Sequence, residues 1–410
     1  MKITEIETIR LASRPNLLLV LVHTDEGLAG LGETFFGAAA VESYIHETAA
    51  SLLLGADPLL IEEHARSLIG YVGYCGSGAE MRGNSAIDIA LWDLWGKATG
   101  QPIHQLLGGR VRDTIRTYNT CAGPSYIRRQ PRQAVDNWGL NGEQAPYEDL
   151  NAFLTDAGSL ARDLLSEGIN GMKIWPFDLC AERNRGMYLS DDELAECLRP
   201  LDSIRAAVGN EMGIAIELHS LWDLPTARRI LRALTPYGLL WVEDPLRADN
   251  PDALAALARD SHVPIAVGET LAGPTAFRAL FELDAVSMPI VDISWVGGIT
   301  EARKIALLAD SYRLPIAAHD CTGPVVLTAS CHLSLHAPNA LIQESVRSYY
   351  RGWYGDLVTA LPIVADGHIA PPPGPGLGLE LKSDLRSRPG VLTRSSRANT
   401  SAAAEATAHI

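Results

Sequence analysis

From about residue 213 onward one pattern recurs: a short apolar run ends in an acid or a histidine, an amphipathic stretch follows, and the next apolar run begins. The runs cover residues 213–218, 239–243, 265–269, 286–292, 314–319 and 341–344, and their polar ends Glu217, Glu243, Glu269, Asp292, His319 and Glu344 fall 26, 26, 23, 27 and 25 residues apart. Such an interval accommodates one strand, one helix and two loops. Continuous rather than alternating apolar runs mark strands buried on both faces, as in a parallel sheet. Polar groups at the carboxyl ends of several such strands are where a (β/α)₈ barrel holds its site.

The first half reads differently. Ile3, Ile6, Ile9 and Leu11, then residues 17–23, the turn Thr24-Asp25-Glu26-Gly27 and residues 28–33 predict an antiparallel meander. From Val41 to Gly100 the period lengthens to that of helices, with Ala86, Ile87, Ile89, Ala90, Leu91, Leu94 and Trp95 on one apolar face and Gly100-Gln101-Pro102 as the stop. Strands followed by helices predict a small α+β unit. Residues 115–118 and 171–174 are the first two barrel strands. The long polar stretch 123–151 between them predicts a lid or binding loop. The division expected is 1–113 for the α+β unit, 114–348 for the barrel, 349–382 for a return to the first unit, and 383–410 for a loosely ordered tail rich in Ser, Arg, Ala and Thr.

The 410 residues suffice for a barrel of about 250 residues and one further unit. With 34 basic against 49 acidic residues the formal charge is −15, which argues against nucleic acid as a partner. Acids follow Met1-Lys2 where a secretory leader would be apolar, and the apolar run 17–22 is too short to span a bilayer, so a cytoplasmic protein with no membrane partner is expected. The six cysteines are scattered without Cys-x-x-Cys spacing, which points away from a disulfide framework or a thiolate metal site.

The strand ends carry the chemistry. Glu217, Glu243 and Glu269 on neighbouring strands would make an oxygen-lined site for a hard cation. Asp292 and His319 end adjacent strands, and such a pair fixes the imidazole tautomer and raises its basicity. His219 follows Glu217 by two residues, which the strand period would put on the same face. Lys173 stands alone at the end of the second strand and is expected to stay protonated, while Trp175 flanks it. His332 and His336 read as an ordinary helix face, and the glycines of residues 27–32 as a hairpin, not a nucleotide loop.

Gly268-Glu269-Thr270, Trp241-Val242-Glu243-Asp244-Pro245 and Val291-Asp292-Ile293-Ser294-Trp295-Val296-Gly297-Gly298-Ile299-Thr300, with His319 downstream, resemble the enolase superfamily and more narrowly its mandelate racemase subgroup. Ser85-Ala86-Ile87-Asp88-Ile89-Ala90-Leu91-Trp92-Asp93 and Gly374-Pro375-Gly376-Leu377-Gly378 extend the likeness over residues 3 to 381. The resemblance implies an α/β protein, a modified TIM barrel (β/α)₇β beneath an N-terminal α+β capping domain, with one Mg²⁺ per subunit held by Glu217, Glu243 and Glu269. It assigns His319 with Asp292 to removing a proton next to a carboxylate, and Glu344 to hydrogen bonding the resulting enediolate. In members similar to galactonate dehydratase, a histidine placed like His219 protonates the departing 3-hydroxyl. Two departures stand out: Glu217 replaces the usual Asp, and a single Lys173 replaces a Lys-x-Lys pair. Arg14 and Arg82 fall in cap regions that cover the site in the family, and Tyr126, Arg128, Trp138 and Tyr147 fall in the segment 123–151, comparable to an insertion in mannonate dehydratases. The expectation is Mg²⁺-dependent dehydration of a small hydroxylated acid sugar by a homo-oligomeric hydro-lyase, with Arg14, Arg82, Trp175 and Tyr147 binding substrate. The rivals are a racemase, epimerase or cycloisomerase using Lys173 as a second base, and a sugar-acid-binding relative without turnover.

Overall fold

The alternation near the amino terminus folds as antiparallel strands β1 (Ile3–Leu11), β2 (Arg14–Thr24) and β3 (Ala29–Phe35) in a computed structural model that describes residues 1–70, 73, 76–127, 134–140 and 146–398. The helix Ala79–Thr99 lies against this sheet. The approach is so close that a Cβ on Gly32 would sit 1.8 Å from the Ala86 carbonyl oxygen, so glycine there serves packing as well as the hairpin.

Eight strands then run parallel: β4 (Ile115–Thr120), β5 (Gly171–Ile174), β6 (Gly213–Glu217), β7 (Trp241–Glu243), β8 (Ile265–Val267), β9 (Met288–Val291), β10 (Ile316–Ala318) and β11 (Ala340–Ser345). β11 pairs with β4 and closes the barrel. Tyr118, Ala215, Trp241, Ala266, Met288, Ile290, Ala317 and Ile342 pack together as a separate buried cluster contributed by these strands. The larger core lies outside it, between strands and helices.

Two expectations about the carboxyl-terminal part need correction. Within 349–382, β12 (Ile363–Ala365) and β13 (His368–Ala370) form a hairpin that pairs with the start of β4, at the end of the barrel opposite the acids. The flanking residues do return to the cap: Trp353 lies under Arg14 of β2, Ile103 N–H donates to the Gly376 carbonyl at 3.0 Å, and Glu380 pairs with Lys97 at 2.6 Å. The segment 383–410 is not a loose tail throughout, because β14 (Val391–Arg397) pairs with β1 from Leu11↔Val391 to Glu5↔Arg397. Composition misled here: an added edge strand needs backbone partners rather than buried apolar area. Arginines supply the rest, with Arg386 at 2.7 Å from Glu7 and Arg397 at 3.0 Å from Glu5. Residues 399–410 lie outside the described residues.

Buried acids fasten cap to barrel. Glu33 on β3 accepts the N–H groups of Val325 and Val326 at 3.3 and 3.1 Å, at the start of the helix Pro324–His336. Asp88 accepts the Thr300 N–H at 3.0 Å in the first turn of the helix Gly298–Ser311, and Trp92 donates to Thr300 Oγ1 at 2.9 Å. Carboxyl oxygens suit these unpaired first-turn donors. Burial pushes Glu33 up to about 8 and Asp88 up to about 7. Among the described residues no helix is long and apolar enough to cross a membrane.

Candidate active site

Short strands bring the polar ends together. Glu217 and Glu243 are register partners on β6 and β7, and Glu269 follows two residues after β8. One oxygen from each lies within 4.8 Å of the others, and all three residues are buried. Glu217 turns Oε1 back to accept the His219 N–H at 2.7 Å. Its Oε2 is buried and receives no hydrogen bond. An all-oxygen, acid-rich pocket with such an atom fits a hard divalent cation.

Lys173 on β5 lies among these acids, with Nζ 2.7 Å from Glu243 Oε1, 3.0 Å from Glu344 Oε1 and 3.4 Å from Glu217 Oε2. Burial works against its charge, but Glu243 and Glu344 outweigh it and hold the ammonium well above its ordinary value. Glu344 on β11 accepts from Thr120 Oγ1 and, through Oε2, from the Asp320 N–H at 2.8 Å. Burial would raise its carboxyl, yet Lys173 and His319 keep it below the usual range. The charge pattern thus favours an ionised Glu344 beside an ammonium donor, not a Glu344 that donates.

His319, just after β10, has Nδ1 2.6 Å from Asp292 Oδ2, and Asp292 Oδ1 in turn accepts Ser294 N–H and Oγ–H at 2.7 and 2.6 Å. Its Nε2 lies 3.0 Å from Glu269 Oε2. Burial disfavours an imidazolium here, but Glu269 and Glu344 hold the proton on and raise the ring well above its ordinary value.

His219 reaches the site by another route than the strand period implied. β6 stops at Glu217; His219 and Ser220 have φ of +49° and +58°, with Ser220 N–H donating to the Asp244 carbonyl at 2.7 Å. The ring's Nδ1 lies 2.7 Å from Asp178 Oδ2, on the helix Asp178–Asn184 that follows β5. Although burial pulls down, Asp178 and Glu217 raise His219 to about 10.

These groups face a narrow cavity of about 30 Å³. Lys173, Glu217, His219, Glu269, His319, Glu344 and Trp175 line it together with Thr120, Tyr126, Ile127, Trp295, Cys321 and, from the cap, Phe35 and Phe36. Glu243 sits beneath, its oxygens taken by Lys173 and by Trp241 Nε1 at 2.8 Å. A roomier cavity of about 430 Å³ between the helix Ala79–Thr99 and the residues after β8 holds none of this chemistry.

Several expected contacts are elsewhere. Arg14 begins β2, where its guanidinium stacks 4.3 Å over Trp353; the turn before it is a tight hairpin, so it does not reach the cavity. Tyr147 is held 5.0 Å from Arg347 and 5.4 Å from Arg351 and also misses the cavity wall. Arg82 lies 4.7 Å over the Trp295 ring and donates to the Phe35 carbonyl at 2.9 Å, behind the wall. Tyr126 is on the wall, Trp138 stands 6.3 Å edge-on to Trp175, and Arg128 lies outside the described residues. Asp178, Phe35, Phe36, Trp295 and Thr120 were not singled out from the sequence. An acid shortly after the Lys173 strand and an aromatic pair closing a cap strand were the signals available.

Residues 6–108 match the mandelate racemase / muconate lactonizing enzyme N-terminal domain, and residues 156–385 match the enolase C-terminal domain-like model. A D-galactonate dehydratase of Ralstonia nicotianae is 32% identical over 392 residues, covering 94% of this chain and 93% of its own. A D-xylonate dehydratase of Haloferax volcanii is 30% identical over 93% of this chain and 87% of its own. The crystal structure of an Agrobacterium tumefaciens enolase of the mandelate racemase subgroup superposes with a TM-score of 0.86 at 52% identity, covering 97% of this chain and 99% of that one. With both domains matched along their length and acids, lysine and histidines converging at the barrel mouth, the chain belongs to the mandelate racemase subgroup of the enolase superfamily.

Proposed function

We propose that the chain is a Mg²⁺-dependent dehydratase of a hydroxylated acid sugar, a hydro-lyase yielding a 2-keto-3-deoxy acid. The observation that carries this reading is one cavity faced by two histidines, each backed by an aspartate, next to a buried acid triad. The D-galactonate and D-xylonate dehydratases among its relatives support it.

Glu217, Glu243 and Glu269 would hold the cation, which when bound supplies positive charge against the negative charge that develops on the substrate carboxylate. With Glu269 turned to the cation it would hold, its grip on the His319 proton would be relieved, and the neutral ring, oriented by Asp292, takes the C2 proton at Nε2. Lys173 is the hydrogen-bond donor to the developing enediolate, and Glu344 keeps it in place. The electron pair left at C2 forms the C2=C3 bond as the C3–O bond breaks. His219 gives a proton to the departing hydroxyl, and water leaves. The enol takes up a proton at C3 to become the keto acid. Tyr126 and Ile127, together with Phe35 and Phe36, shield the reacting carbon from stray water. Racemisation through Lys173 as a second base is disfavoured because Glu344, which lies outside the acid triad, stays 3.0 Å from its ammonium and holds the proton there.

Incubating the protein with Mg²⁺ and a panel of five- and six-carbon aldonates and aldarates, and measuring α-keto acid, tests the reading. Formation of a keto acid from at least one is expected. C2 exchange or epimerisation without any keto acid would overturn dehydration.

A further inference from the structure

The aspartate behind His219 has been given no role of its own in the reaction steps. Asp178 opens the helix Asp178–Asn184 and is 5% exposed. Its Oδ2 meets His219 Nδ1 at 2.7 Å, and its Oδ1 is buried with no hydrogen-bond partner. The histidine it holds is unusually constrained. A positive φ strains a non-glycine residue, and here His219 and Ser220 both adopt one. The backbone is fixed by Leu218 N–H on the Glu243 carbonyl at 3.0 Å, His219 N–H on Glu217, and Ser220 N–H on the Asp244 carbonyl. Trp175 stands edge-on to the imidazole at 5.9 Å. With Nδ1 engaged by Asp178, only Nε2 is left for the substrate.

We propose that Asp178 is a positioning residue for the dehydration step: its hold on Nδ1 presents the Nε2–H of His219 to the departing hydroxyl. This rests on the dehydratase reading. Two aspartate–histidine pairs then divide the reaction, Asp292–His319 breaking C2–H and Asp178–His219 assisting the cleavage of C3–O. In that second step the N–H bond breaks, an O–H bond forms on the leaving water, and the C3–O electron pair departs with oxygen. A halide at C3 leaves as an anion and needs no proton. Asp178 is therefore required for a 3-hydroxy substrate and dispensable for its 3-halo analogue.

The experiment compares wild type with Asp178→Asn in Mg²⁺, using whichever acid sugar the wild type dehydrates. Three rates are read: α-keto acid formation, C2 hydrogen exchange in deuterated water, and halide release from the 3-deoxy-3-halo analogue. Keto acid formation should fall by about 100-fold or more, in the range that general acid assistance supplies, with exchange and halide release within about threefold of wild type. Undiminished dehydration overturns the proposal, as does an equal fall in all three rates, which marks a structural role. If Asp178→Asn does not fold, Asp178→Glu carries the same test, because one added methylene displaces the imidazole while keeping the charge. A wild type that dehydrates no acid sugar overturns both readings; wild-type dehydration with an unaffected variant overturns only the assignment of Asp178.

Discussion

Lys173→Met removes the ammonium that lies within 3.4 Å of Glu217, Glu243 and Glu344, in a spot where all four side chains are no more than 3% exposed. Leaving a buried charge without its partner costs about 3–5 kcal/mol. Two contacts at 2.7 and 3.0 Å put this variant near the upper figure. The deficit should depend on pH. Burial pushes Glu243 up to about 8 even while Lys173 pulls it down, so without Lys173 the carboxyl rises further. An acid raised in the folded state contributes stability when protonated and loses it as pH rises through the folded value. The loss should therefore approach about 5 kcal/mol near pH 9 and shrink near pH 6. A divalent cation at the triad supplies the missing charge in another way, and a 100-fold excess over its Kd contributes about 2.7 kcal/mol. Urea unfolding followed by tryptophan fluorescence, at both pH values and in EDTA or Mg²⁺, reads each effect. If the variant in EDTA near pH 9 is as stable as wild type, or gains no more from Mg²⁺ than wild type does, the charge balance drawn here is wrong.

His319→Asn should lower C2 exchange by about 1,000-fold, within the range for loss of a general base; proton NMR in deuterated water measures it, and retained exchange would move the base elsewhere. Glu243→Gln keeps the shape next to Lys173 and Trp241 but removes a charge, and calorimetry should show Mg²⁺ affinity down by more than about 100-fold, beyond the loss of an outer-sphere partner. Asp88→Asn addresses the cap. Asp88 is raised from 3.8 to about 7, so its contribution is complete below about pH 4 and lost as pH climbs through 7. The Asn variant should be more stable to urea than wild type at pH 8, by about 2–4 kcal/mol, and no more stable at pH 4; equal pH profiles would count against a buried Asp88 raised to about 7.

The barrel was legible because burial on both faces forces continuous apolar runs, and because the polar residue ending each run has no reason to be there except at the mouth. Glu217, Glu243, Glu269, Asp292, His319 and Glu344 could thus be picked out by interval alone. The meander and its covering helix were legible from their periods. What the one-dimensional pattern cannot carry is how far each side chain reaches once its strand has ended. His219 shows this: the strand stops at Glu217, so alternation no longer applies, and a left-handed turn with Asp178 from a different βα unit decides where the ring points. Arg14 and Tyr147 fail for the same reason, since nearby aromatic and cationic faces outside the cavity compete for them. β14 lay beyond composition because its stabilising partners, the open edge of β1 and the acids Glu5 and Glu7, are hundreds of residues away. Sequence period determined the elements and the ends at which chemistry sits; the pairing of charges across those ends, Lys173 among three acids and one aspartate behind each histidine, was decided only by the closed barrel, which brings strands far apart in the chain within hydrogen-bonding distance.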